Sequence, residues 1–74
     1  MQLSDGELDA LIRAAVAELT SRGTTESFAM LVALSGLVGT SLGEAARLVA
    51  ERGSWSQVAQ ISGTTKQAAW SRWR

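Results

Sequence analysis

Four times in this chain a serine or threonine is followed three residues later by glutamate or glutamine: Ser4 and Glu7, Ser41 and Glu44, Ser54 and Gln57, Thr64 and Gln67. That spacing is the capping box. The hydroxyl accepts from a free N–H of the first helical turn, and the longer side chain reaches back to the N–H of the cap. Gly23 and Gly63 each follow an apolar-periodic run, where a glycine ends a helix by turning left-handed, and a third run stops at Gly53. No window alternates apolar and polar residues as a half-buried strand must. The sequence therefore predicts an all-α fold of about five helices, an orthogonal bundle in a single domain over residues 1–74.

The first predicted helix carries Leu8, Leu11, Ile12, Ala15, Val16 and Leu19 on one face, with Arg22 at its negative end. Thr24 or Thr25 caps the second. Its residues Phe28, Met30, Leu31, Val32, Leu34, Leu37 and Val38 are apolar on more than one side, and Gly39 and Thr40 are expected to end it. A helix apolar nearly all round must be covered from several directions. A 74-residue chain buries only about 60% of its extended surface, so a second copy is expected to supply the cover. The candidate dimer interface is Phe28, Leu31, Leu34, Leu37 and Val38. A third helix runs from the Ser41 cap through Leu42, Ala45, Ala46, Leu48 and Val49 to Gly53. The fourth carries Trp55, Val58, Ala59 and Ile61, and the fifth carries Gln67, Ala68, Ala69, Trp70 and Trp73.

Several function classes drop out early. There is no cysteine and no histidine, so disulfides, the usual zinc sites and an imidazole base are absent. No carboxylates pair at a plausible pocket, and Glu7, Asp9 and Glu18 read as a solvated face. Gly36, Gly39 and Gly43 match no phosphate-loop pattern and follow no strand; they read as a helix break. The expectation is a protein that is not an enzyme and needs no metal or cofactor. The apolar run from Phe28 to Val38 is too short to cross a bilayer, and the acidic start argues against a signal peptide. A cytoplasmic protein with no membrane partner is expected.

Net charge is zero, but its distribution is not even. Residues 1–51 hold all seven acids against three arginines, a net −4; residues 52–74 hold Arg52, Lys66, Arg72 and Arg74 and no acid, a net +4. Such asymmetry points the basic end at a polyanion.

That basic end reads Ser54-Trp-Ser-Gln-Val-Ala-Gln-Ile-Ser-Gly63-Thr-Thr-Lys-Gln-Ala-Ala-Trp-Ser-Arg-Trp73. It resembles the helix-turn-helix of small actinobacterial and phage transcription regulators, whose ending has the form SWxxIAxxLGVSRQAAWxRW. A weaker likeness extends back through Leu42-Gly-Glu-Ala-Ala-Arg to Arg52-Gly53. The motif has a physical logic. Two helices must cross steeply through a short turn. Ala59 is small enough for close approach, and Gly63 supplies a positive φ. Val58 and Ala69 would meet inside the corner, and Trp55 and Trp73 would brace it. Ser62 and Thr64 stand where the family has Leu and Val, so the Ser62 hydroxyl must find a partner or be exposed.

The resemblance implies a homodimeric regulator that binds double-stranded DNA in the cytoplasm, associated with the nucleoid. Residues 1–53 would form the core and dimer, and residues 54–74 the reader. Recognition helices enter the major groove by their N-terminal end, here Thr65, Lys66 and Gln67, followed by Trp70 and Ser71. A glutamine amide pairs with the N6 and N7 edge of adenine, and a lysine donates to guanine or phosphate. Free N–H groups at Ser54 and Trp55 would hold a phosphate, with Arg52, Arg72 and Arg74 adding charge. A rival reading makes the apolar second helix a docking face for a protein partner.

Overall fold

A computed structural model describes residues 2–74. Among them there are helices and no strand, as the cap signals require. The helices number four rather than five: α1 (Asp5–Arg22), α2 (Thr25–Arg52), α3 (Trp55–Ser62) and α4 (Lys66–Trp73). The second and third predicted helices are one element. Gly36, Gly39 and Gly43 all lie inside it, and none takes a positive φ. Ser41 has the spacing of a cap with Glu44 but sits within helical backbone, so its box does not form. The physical reason is one of magnitude. A helical glycine costs about 1 kcal/mol relative to alanine, whereas a break would orphan four N–H and four C=O groups. With no proline in the chain, nothing forces that break.

This continuity revises the reading of the Phe28–Val38 run. The whole of α2 spans 28 residues and includes an 18-residue stretch of mean hydropathy 1.5, none of it buried. By length and composition it is sufficient to cross a membrane, which the shorter run was not.

The remaining boundaries follow local chemistry. Ser4 Oγ accepts from Glu7 N at 3.2 Å, and Ser4 N donates to Glu7 Oε1 at 3.1 Å. The bond to the Ser4 N–H, then that to its hydroxyl, holds the Glu7 carboxyl below its usual range. Gly23 ends α1 at φ 61°. Thr24, not Thr25, opens α2: its Oγ1 accepts from Ser27 N at 3.0 Å, while Ser27 Oγ donates to Thr24 O at 3.0 Å. This tight turn explains why Ser27 is buried without cost to its hydroxyl.

The chain divides into two compact units, residues up to Gly36 and residues Leu37–Arg74. In the first, α1 buries none of its residues. Leu19 and Leu31 border a cleft of about 290 Å³ with Thr24, Ser27 and Phe28. The second unit holds the buried apolar cluster: Ala46, Val58, Ala59, Ala69 and Trp73, with Ala50 and Trp55 packed against it. Every buried apolar side chain among the described residues lies between Ala46 and Trp73, and residues 1–53 contribute Ala46 to this cluster, with Ala50 packed against it. In the single chain the apolar stripe of α1, including Leu11, Ile12 and Val16, stays exposed.

Candidate functional site

The second unit turns on three residues, Gly63, Thr64 and Thr65, between α3 and α4. Gly63 adopts φ 72°, and Thr64 N donates back to Ala59 O at 3.0 Å, closing the last turn of α3. Thr65, rather than Thr64, is the cap of α4; its Oγ1 accepts from Ala68 N at 3.1 Å. Thr64 still belongs to the turn, its N–H closing α3, and the backbone enters α4 only at Thr65, which is extended at φ −85° and ψ 158°. The expected pairing of Thr64 with Gln67 is thus replaced by one that starts a residue later. Gln67 is released from the cap.

Small side chains then let the two helices close. Ala59 and Ala69 are both buried, Ala69 completely, at 0% exposed. Val58 fills the space beside them. The hydroxyl of Ser62, which replaces a packed leucine of the resembling pattern, donates to Val58 O at 2.7 Å. Its polarity is therefore satisfied by the helix to which it belongs.

Trp73, 8% exposed, joins this corner to α2. Its indole packs over Gly43, where an added Cβ would sit 3.6 Å from the ring Cδ1. Its carbonyl accepts from Arg47 Nη1 at 3.0 Å. A guanidinium is well suited to the last carbonyls of a helix, which carry partial negative charge. Arg47 was not among the predicted site residues. It lies 26 positions from its acceptor, and no local pattern announces such a bond. At the other junction, Ser54 and Gln57 form the full box, with N–H to Oε1 and N–H to Oγ both at 3.2 Å. Gly53 leaves room for it: a Cβ at that position would meet the Gln57 amide, and the side chain would have to move out of the box.

With one side of α4 locked by Ala69 and Trp73, four residues apart, the rest of the helix faces outward. Lys66, Gln67 and Trp70 line a notch of about 480 Å³. Trp70 is 39% exposed, and the Arg74 guanidinium lies 4.3 Å from its ring centroid. Ser71 is exposed on the same side, one turn beyond Gln67. Arg72 diverges: its guanidinium lies 4.9 Å from the Trp73 ring centroid. Arg52 is exposed at the end of α2, and Ser54 is half-buried at its cap; neither lines the notch. The Ser54 N–H expected to be free for a phosphate is taken by Gln57. That expectation is corrected, since the box satisfies the very donor it was to offer.

The candidate interface residues on α2 are mostly uncovered. Phe28 is 68% exposed, and Leu34, Leu37 and Val38 are exposed as well, while Leu31 is half-buried in its cleft. Among the described residues no group of carboxylates could hold a metal ion.

No protein-family model, curated protein or solved structure matches this chain.

Proposed function

We propose that α3 and α4 form a helix-turn-helix and that the protein binds double-stranded DNA in a sequence-specific manner, as a homodimeric bacterial transcription regulator. The observation that carries this reading is the two-sidedness of α4. Ala69 and Trp73 anchor one side, while Gln67, Trp70, Ser71 and Arg74 fall at three-and-four spacing on the other. An amide, an indole, a hydroxyl and a guanidinium on one exposed face are the groups that read base edges and phosphates. Thr65 uses an oxygen lone pair for its cap, which leaves its hydroxyl proton free to donate to a phosphate. Lys66, Arg72 and Arg52 add positive charge around that face. The unit carrying it, Leu37–Arg74, has five basic residues against Glu44 and Glu51, a net +3.

One copy with so few cations binds weakly. Dimerisation through Phe28, Leu31, Leu34, Leu37 and Val38 supplies the second copy, with the two α4 helices about 34 Å apart on successive turns of the major groove. Gln67→Ala tests the reader. Affinity for a duplex selected from a random pool should fall by roughly 1–3 kcal/mol, with relaxed preference at one base pair. A uniform loss across all sequences would remove Gln67 from base reading.

A second reading is favoured by the exposed apolar face of α2, which would then dock a protein partner instead. Salt separates the two, because apolar docking is insensitive to ionic strength and phosphate contacts are not. The same helix meets the length and hydropathy of a membrane span. Flotation of the protein with lipid vesicles would place it in a bilayer and overturn the cytoplasmic assignment.

A further inference from the structure

We propose that Trp70 makes α4 a reader of thymine methyl groups, so that the protein prefers A·T-containing steps. This rests on the DNA-binding reading above and adds to it the base that the notch accepts. Three features of the surface carry the inference.

The notch is chemically mixed. Trp70 gives it an apolar wall, Gln67 an amide that both donates and accepts, and Lys66 an ammonium. In the major groove only thymine displays an apolar group, its C5 methyl, and the adenine paired with it displays an adjacent acceptor and donor. An indole wall beside an amide matches that pair. Guanine and cytosine offer no group for the indole.

The wall is also held in place. Arg74 lies over the ring at 4.3 Å, and a cation in that position is attracted to the negative face of the indole. The ring thus loses less freedom when a methyl group meets it. Finally, Trp70 is not needed for the core. It is 39% exposed, whereas Trp73 fills the interior of the corner. Tryptophan, with a large apolar ring and one polar N–H, is among the side chains enriched at interfaces.

The test compares two 20-base-pair duplexes, alternating dA-dT and alternating dA-dU. They share every hydrogen-bonding edge and differ only in the methyl group. Fluorescence anisotropy gives the ratio of their affinities. A buried methyl-sized group is worth roughly four-fold in affinity. The wild-type protein should therefore bind the dA-dT duplex about four-fold more tightly for each methyl seated. Trp70→Ala should bring the ratio close to one, and Trp70→Phe should retain most of it. Because the readout is a ratio, a general weakening of the variant does not obscure it. Equal binding of both duplexes by the wild type overturns the proposal. So does a methyl effect that persists in Trp70→Ala, which would assign it to duplex shape. A preference for single-stranded oligo-dT over either duplex also overturns it, because the indole would then stack on an unpaired base. Binding to no duplex of any sequence is a separate failure, that of the DNA-binding reading itself.

Discussion

Replacing Trp73 by alanine removes the largest side chain of the only buried apolar cluster among the described residues. The indole touches Gly43 on α2 and packs with Val58, Ala59 and Ala69 at the corner. A buried tryptophan removes about 150–250 Å² from water, worth roughly 4–6 kcal/mol at 25 cal/mol per Å² as an upper bound. Core truncations of this kind cost about 3–5 kcal/mol. A chain of this length has a total stability of only about 4–11 kcal/mol, so Trp73→Ala consumes much of it. At about 4–8 °C per kcal/mol for a domain of this size, the melting temperature should fall by more than about 12 °C. Arg47 keeps its bond in this variant, because its acceptor is the backbone carbonyl of residue 73. The natural control is Trp70→Ala, at a residue 39% exposed, which should cost no more than about 1 kcal/mol. Circular dichroism at 222 nm with thermal ramping measures both. Equal shifts for the two variants, or a shift under about 5 °C for Trp73→Ala, would refute the assignment of Trp73 as the anchor of the corner.

Gly63→Ala forces a Cβ into φ 72° and should cost about 1–2 kcal/mol, visible as a lowered urea midpoint with unchanged slope. The Glu7 carboxyl is held below its usual range by the Ser4 N–H, so its contribution is present above about pH 4.5 and is lost as pH falls through the depressed value. Amide exchange at the start of α1 should accelerate across that acidic window. Glu7→Gln, which keeps the hydrogen bond, should flatten the response. Leu34→Glu puts a charge on the proposed interface and should convert a dimer to a monomer by light scattering. An unchanged mass would exclude that face.

What could be read from the sequence was local. The Ser4 and Ser54 boxes and the Gly23 and Gly63 stops all form, because each needs only residues three or four positions apart. Ser41 carries the same signature and fails, because a capping side chain acts only where the backbone already leaves the helix. The spacing alone does not contain that backbone step. The glycines of α2 have the composition of a helix break, yet each costs less than the hydrogen bonds that a break would forfeit. The cap of α4 falls on Thr65 rather than Thr64 because Thr65 is the extended residue at which the backbone enters the helix. For the site, the resemblance rather than the helical period singled out Thr65, Lys66, Gln67, Trp70 and Ser71, and all five are exposed. The Arg47 bond to Trp73 and the occupied Ser54 N–H were not legible, since both depend on where distant or competing groups come to rest.

The central claim is that the basic C-terminal unit binds duplex DNA. The most direct measurement is the salt dependence of anisotropy with a labelled duplex selected from a random pool. Each phosphate contact contributes about −0.9 to the slope of log affinity against log salt. Up to four cations per copy, Arg52, Lys66, Arg72 and Arg74, predict a slope of roughly −3 to −4 for one copy and about −7 for two. A slope in that range, halved in steepness by Leu34→Glu, is the expected result. Binding to no duplex, or a slope near zero, would contradict the account.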